Sequence, residues 1–179
     1  YDATRQPKWL ERAEAAATFA ESWIWIWTVP MPVDANDAEL HWKKGVPALG
    51  FQGITAAVAG GVDEYLDWAV ASYAKLYTLT KDPHYLDVAR LLLHNTKQMV
   101  ALPGRQYDYK GIGWQQEGWR MGPGGAGRGV GGHRFWLPWV SANHLYGIAG
   151  LEEFDPALYK MLSAKPLPGI RSEPAVDEE

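Results

Sequence analysis

The amino-acid sequence predicts an all-α fold assembled from helical hairpins. Residues 1–13 and 77–89 share the pattern Tyr-x-x-Thr-basic-x-Pro-x-aromatic-Leu-acid-x-Ala, and the second copy starts 76 positions after the first. Apolar residues recur at helical spacing around both copies, and strand signals are weak throughout the chain. A unit repeated in this way is typical of stacked helical hairpins.

Each element of the repeated pattern has a mechanical role in a helix–turn–helix unit. The Tyr ends one helix, and the Thr with the polar residues after it forms the turn. The Pro suits the first turn of the next helix, where an amide hydrogen is not needed, and the aromatic residue, Leu and Ala begin the buried stripe. The apolar spacing predicts helices over residues 7 to about 27, 62–79, 83–100, 138 to about 149, and 156–162.

The position of the two copies predicts the domain organisation. A predicted helix precedes the second copy, whereas the first copy begins at residue 1. We therefore expect residues 1–164 to form part of a larger helical domain, whose remainder is a preceding segment or another chain. Residues 165–179 contain three prolines and end in Asp177-Glu178-Glu179, which predicts a flexible acidic tail.

Composition excludes several classes of function. The net charge is -4, so there is no basic footprint for nucleic acid, and no apolar run reaches the length of a membrane span. The absence of Cys excludes disulfide scaffolds, thiolate metal sites and cysteine nucleophiles. The five His lack the spacing of a metal site, so we expect no metal. No strand is predicted before the glycines at 127, 129 and 132, so we expect no dinucleotide cofactor.

A secreted or periplasmic location is favoured over a cytoplasmic one, although targeting cannot be read from a chain that opens with Tyr1.

The second copy of the pattern resembles a known family. Its residues Leu76-Tyr77-x-Leu-Thr80-Lys-Asp82-Pro-x-Tyr85-Leu86-Asp87-x-Ala89 resemble the hairpin turn of the (α/α)6-toroid, or six-hairpin, glycosidases. These include unsaturated glucuronyl hydrolases and β-L-arabinofuranosidases. The resemblance extends over residues 1–30 and 60–100, and more loosely over 111–150. It implies part of a toroid and a carbohydrate substrate. Because toroids also carry polysaccharide lyases, epimerases and cyclases, it specifies the architecture more than the chemistry.

Glu117 is the first candidate catalytic residue. It lies in the second of two long irregular stretches, residues 30–61 and 102–137, and loops of this length are commonly functional. Aromatic neighbours reduce the hydration of a carboxyl group, which raises its pKa and suits a general acid; the alternative is a solvated loop glutamate. Its neighbours are of the types that contact sugars: Trp114, Gln115, Gln116 and Trp119.

A second carboxylate is expected at residues 63 and 64. Glycosidases generally use two carboxylates, one to protonate the leaving oxygen and one to attack or to activate water. Asp63 and Glu64 follow two glycines at a predicted helix start, and Asp67 is a weaker alternative. The competing interpretation is that acids in a first helical turn stabilise the helix macrodipole.

A basic and histidine-rich group predicts affinity for an acidic sugar. His133 and Arg134 lie beside Trp136, and Asn143 and His144 follow in a predicted helix, where a structural histidine is the alternative. Arg can hold a carboxylate with two hydrogen bonds. These residues, with Tyr146, would also suit a polysaccharide lyase, which removes a proton beside a uronate carboxylate. A non-catalytic glycan-binding or scaffold role is the third hypothesis.

Overall fold

The computed structural model describes residues 1–26, 45, 49–53, 61–63, 68–95, 100–104, 111–114, 118–120 and 138–164, with residues 61–63, 95, 118–120 and 138–140 described by their backbone alone. Within these residues the chain is mainly helical, in agreement with the predicted all-α class. The helices are α1 (Pro7–Glu21), α2 (Val70–Thr80), α3 (Pro83–Asn95), α4 (Pro138–Phe154) and α5 (Pro156–Ala164). Three short strands accompany them: β1 (Gln52–Gly53), β2 (Gly61–Asp63) and β3 (Gly118–Arg120).

The two copies of the repeated pattern form the same turn. The basic residue of each copy, Arg5 or Lys81, has a left-handed backbone with φ of 55° or 63°. Its amide donates to the carbonyl of the Tyr four residues earlier, at 2.7 Å from Arg5 to Tyr1 and 2.8 Å from Lys81 to Tyr77. The Thr hydroxyl oxygen accepts a hydrogen bond from the amide two residues later, at 3.4 Å in the first copy and 3.1 Å in the second. The Pro then begins α1 and α3, so both turns lead into a new helix in the same way.

Helices α4 and α5 form a further hairpin, whose turn shares one feature with the turn between α2 and α3. In both turns a carboxylate lies directly before the first Pro of the next helix and fixes the turn. Before α3, Asp82 Oδ1 accepts a hydrogen bond from the His84 amide at 2.9 Å. Before α5, Asp155 Oδ1 accepts one from the Leu158 amide at 2.9 Å. Such side-chain bonds satisfy amides at a helix start that have no partner within the helix.

The main core lies between α2, α3, α4 and α5. Helix α2 packs on α3 and α4, and α5 packs on the same two helices. Leu92, Leu151 and Leu162 are fully buried there. The His94 ring, also buried, reaches the carbonyl oxygen of Leu162 at 2.8 Å. A carbonyl can only accept, so Nε2 of His94 carries the hydrogen and ties α3 to α5.

Helix α1 is shorter than predicted. It ends at Glu21 rather than near residue 27, because the following residues pair with β1 and with Phe51 directly before it. The Trp25 amide donates to the Phe51 carbonyl, and the Gly53 amide donates to the Trp23 carbonyl, each at 2.8 Å. The alternation of Trp and Ile after Ser22 favours this extended conformation over a helix.

The predicted helix over 62–79 is wrong at its beginning. Gly61–Asp63 forms β2, the central strand of the antiparallel order β1-β2-β3, and the helix begins at Val70. Glycine is a poor helix former and Val favours strands. Asp63 therefore does not lie in a first helical turn, and the macrodipole interpretation does not apply to it. Glu64 and Asp67 lie outside the described residues.

The remaining helical predictions agree with the structure within the described residues, except that Val100, the predicted end of the helix over 83–100, lies in a β-bridge and not in a helix. Helix α3 is described to Asn95, α4 continues past residue 149 to Phe154, and α5 reaches Ala164. The predicted tail, 165–179, lies outside the described residues. In the part of the chain that the structure describes, no helix combines the length and apolar composition needed to cross a bilayer.

Candidate functional site

The small sheet joins the two long segments that were predicted to form the site. Strand β1 lies within residues 30–61, β2 begins at the end of that stretch, and β3 lies within 102–137. Both outer strands pair antiparallel with β2. The sheet thus brings together residues that are far apart in sequence.

The strand register brings the candidate Asp63 directly opposite the segment that carries Glu117. Asp63 is the Cα partner of Gly118, and Val62 is the partner of Trp119. Partners in an antiparallel pair have Cα atoms about 4.5–5.5 Å apart. Glu117, which precedes Gly118 in the sequence, lies outside the described residues. Two of the predicted site residues, Asp63 and Trp119, are therefore on adjacent strands.

Trp114 is held by a tight turn against α4. The Ala101 amide donates to the Trp114 carbonyl at 2.6 Å, and the Gly113 amide donates to the Ala101 carbonyl at 2.9 Å. The Trp114 side chain packs on Ala101 and lies 3.4 Å from where a Cβ on Gly111 would be. The Ser141 hydroxyl of α4 donates to the Gly113 carbonyl at 2.6 Å. The Trp114 ring, which is partly exposed, consequently has a fixed support.

A shallow aromatic cleft of about 500 Å³ borders the sheet and was missed in the sequence analysis. It is lined by Ser22, Trp23, Ile24, Trp25, Ile26 and Gly53. The Trp23 side chain is 42% exposed and rests on β1, where a Cβ on Gly53 would lie 3.7 Å from its ring. The run that contains it was predicted as helix, although its alternating Trp and Ile could have indicated a strand-like segment. Exposed aromatic faces of this kind suit the C–H faces of sugars.

The candidates on α4 differ in exposure. His144 is buried at 7% exposure, Asn143 is half-buried and Tyr146 is 71% exposed. All three lie within five residues of Ser141, which contacts the Trp114 turn. The other predicted binding residues lie outside the described residues: Gln115, Gln116, His133, Arg134 and Trp136. Among the described residues, no group of three or more His, Asp or Glu side chains is placed to hold a metal ion.

A titratable cluster joins α1 to α2 and α3. His84 Nε2 lies 2.6 Å from Glu21 Oε2, and the Tyr85 hydroxyl donates to Glu14 Oε1 at 3.4 Å. Burial, followed by the Glu21 carboxylate, holds the pKa of Tyr73 well above its usual range. Burial, followed by Glu14, also raises the pKa of Tyr85. Because burial is the main cause of both shifts, and the Tyr73 hydroxyl donates to the Ala17 carbonyl of α1 at 3.3 Å, we assign this cluster to helix packing.

No protein-family model matches the sequence, and comparisons with curated proteins and with solved structures give no significant match. Function is therefore inferred from the residues and their placement.

Proposed function

We propose that this chain is part of a glycoside hydrolase, in which Glu117 and either Asp63 or Glu64 form the pair of catalytic carboxylates. The observation that carries the proposal is the pairing of Asp63 with Gly118 across β2 and β3. It joins the two segments whose carboxylates the sequence predicts to be catalytic. Helical hairpins would supply the scaffold as part of an (α/α) toroid.

Strand pairing brings the two candidate segments close together. Asp63 and Gly118 are partners in an antiparallel ladder, and Glu117 directly precedes Gly118 in the sequence. Side chains on adjacent strands lie about 4.5–5.5 Å apart when directly opposite and about 7–8 Å apart on the diagonal. Retaining glycosidases hold their two carboxyl groups about 5–5.5 Å apart, and inverting ones about 6.5–9.5 Å, so adjacent strands can supply either spacing.

The proposed roles follow from the surroundings of each carboxyl group. Glu117, between Trp114 and Trp119 in the sequence, acts as the acid and transfers its proton to the glycosidic oxygen as the bond to the leaving sugar breaks. The second carboxylate either attacks the anomeric carbon or removes a proton from the water that does so. One water molecule is consumed in either route: the leaving sugar keeps the glycosidic oxygen, the water oxygen becomes the hydroxyl of the new reducing end, and the water proton restores the acid directly or through solvent.

The substrate would be a poly- or oligosaccharide, including one that contains uronic acid. The exposed Trp23 ring offers flat apolar surface beside β1, and the partly exposed Trp114 ring offers more at the turn held by α4. The segment from Arg105 to Arg134 has five basic and two acidic residues in a chain of net charge -4. This local excess, with Arg134 as the candidate partner of a carboxylate, favours an anionic sugar.

The test is release of reducing ends from neutral and uronate-containing oligosaccharides. Glu117→Gln should lower turnover by at least about 10²-fold, the usual scale for loss of a general acid. Either Asp63→Asn or Glu64→Gln should have a comparable effect. The matched control is Glu152→Gln, at an exposed position of α4, which should retain turnover.

Three outcomes would overturn the hydrolase proposal. A product with an unsaturated, ultraviolet-absorbing sugar, retained in Glu117→Gln but lost in Tyr146→Phe, would indicate a lyase. Glycan binding without turnover would indicate a binding or scaffold role. Equal turnover in Glu117→Gln and Glu152→Gln would remove Glu117 from the chemistry.

A further inference from the structure

Trp23 extends the small sheet beyond β1. The Gly53 amide donates to the Trp23 carbonyl at 2.8 Å, and the next residue, Ile24, pairs antiparallel with Gln52 of β1. Gln52 also pairs with β2, so the segment that contains Trp23 lies on the side of β1 away from β2. It occupies the position that a fourth strand would take.

The strand register aligns Trp23 with Trp119. Gly53, opposite Trp23, is the partner of Val62, and Val62 is the partner of Trp119. One cross-strand row therefore runs from Trp23 to Trp119, and directly opposite positions of an antiparallel sheet lie on the same face. A Cβ on Gly53 would lie 3.7 Å from the Trp23 ring, which places that ring on the face of this row.

The two Trp positions of the row lie farther apart than the length of one sugar ring. Three strand spacings of about 4.8 Å separate them, which is roughly 14 Å. Gly53 has no side chain to fill the space beside the Trp23 ring, and both residues line the same cleft. The Trp23 side chain is 42% exposed there. A glycan chain lying along the row therefore needs several sugar units to contact both ends.

Strand parity relates this row to the candidate carboxylates. Residues two apart along a strand lie on one face. Glu117 lies two positions before Trp119, and Glu64 lies two positions after Val62; both carboxylates lie outside the described residues, directly beyond β3 and β2. Asp63 is adjacent to Val62 in β2 and so belongs to the alternate face. The alternation favours Glu64 over Asp63 as the partner of Glu117.

We propose that Trp23 stacks on a sugar unit of a glycan substrate that lies along this row, at a position remote from the bond that is cleaved. The proposal rests on the proposed glycosidase function and takes Glu64 as its second carboxylate. The register connects the cleft at Trp23 with the segment that carries Glu117, which favours the substrate as the occupant. An edge contact from Phe19, at 6.3 Å between ring centres, fixes the Trp23 ring for stacking.

Turnover of oligogalacturonides of two to six units, with xylo-oligosaccharides as the neutral series, tests this role. Trp23→Ala should raise KM for the hexasaccharide by about 3–10-fold, the scale of one aromatic contact, and should affect KM rather than kcat. The effect should decrease with chain length and be smallest for the disaccharide, which is too short to reach Trp23. Trp23→Phe should retain most of the affinity. The matched control is Trp9→Ala on α1, at a side chain that is 39% exposed, which should alter KM for no length.

Binding measured by calorimetry in the Glu117→Gln background separates this proposal from the glycosidase proposal. Trp23→Ala should weaken hexasaccharide binding by the same factor of about 3–10, and this readout does not depend on turnover. Binding that requires Trp23 in a chain without turnover would contradict the glycosidase proposal alone. Turnover that requires Glu117 and is insensitive to Trp23 would contradict the role of Trp23 alone.

The role of Trp23 fails on any of three results. The effect of Trp23→Ala could be absent or equal for all chain lengths. Turnover could fall in Asp63→Asn and not in Glu64→Gln, which would place the chemistry on the other face of the sheet. Trp23→Ala could also lower Tm much more than Trp9→Ala, which would show that other residues of this chain cover the Trp23 ring in place of a sugar.

Discussion

Leu92 provides the sharpest test of where the core lies. It is fully buried on α3, as are Leu151 and Leu162 in the helices packed beside it. Replacing Leu92 by Ala removes three carbon atoms, worth about 0.8 kcal/mol each in transfer free energy, and leaves a cavity that adds to the cost. Comparable buried Leu→Ala changes lower the free energy of unfolding by about 2.7–5 kcal/mol. We expect about 3 kcal/mol, or a fall in Tm of roughly 6–12 °C for a chain of this size.

Urea denaturation followed by far-ultraviolet circular dichroism measures this loss. The matched control is Leu145→Ala, the same deletion at a side chain that is 67% exposed on α4, where we expect a change within about 0.5 kcal/mol. A loss below about 1 kcal/mol at Leu92, or equal losses at Leu92 and Leu145, would refute the placement of the core between α2, α3, α4 and α5.

Three further predictions concern single residues. The pKa of Tyr73 is higher in the folded state than in the unfolded state. The stability that its protonated hydroxyl contributes is therefore complete below the unfolded pKa of about 10 and is lost as pH rises further. Tyr73→Phe should therefore reduce the fall in Tm between about pH 9 and 11. Lys81 has a left-handed backbone with φ of 63°. Lys81→Gly should therefore raise the free energy of unfolding by about 0.5 kcal/mol, and Lys81→Val should lower it, as measured by urea denaturation. Ser141→Ala removes the 2.6 Å bond to the Gly113 carbonyl and should cost about 0.5–1.5 kcal/mol in the same assay.

Each of these predictions has a clear contrary result. An alkaline stability profile unchanged in Tyr73→Phe would mean that its hydroxyl is not shielded in the folded state. Loss of stability in Lys81→Gly would contradict the left-handed turn. A Ser141→Ala variant as stable as the parent would show that the turn carrying Trp114 is not held by α4.

The sequence could predict the hairpin turns because their geometry is locally determined. Three features act within six residues: a Pro at the first helical position, a Thr that accepts a hydrogen bond from a backbone amide, and a basic residue in left-handed conformation. The stripes of Leu and Ala on α3 likewise follow from helical periodicity alone. These local signals repeat in both copies, and the structure places the same turn at each.

The sheet could not be predicted in the same way, because its register is non-local. Gln52, Asp63 and Gly118 meet across β1, β2 and β3, and nothing within a short window of sequence specifies that alignment. Strands of two or three residues also give too little alternation to detect. Trp23 was missed for the same reason, since its exposure beside Gly53 depends on pairing with a distant segment.

Disulfide trapping between β2 and β3 tests the central claim most directly. The chain has no Cys, so Asp63→Cys with Gly118→Cys introduces a single possible disulfide. Directly opposite strand positions can be bridged, whereas Cα atoms more than about 7 Å apart cannot. Gln52→Cys with Gly118→Cys is the control, because these residues flank Asp63 on opposite sides and are separated by two strand spacings of about 4.8 Å. We predict that mild oxidation consumes both thiols of the monomeric Asp63/Gly118 variant and leaves those of the control free. Free thiols in both variants, or equal trapping in both, would contradict the pairing on which the proposed carboxylate site depends.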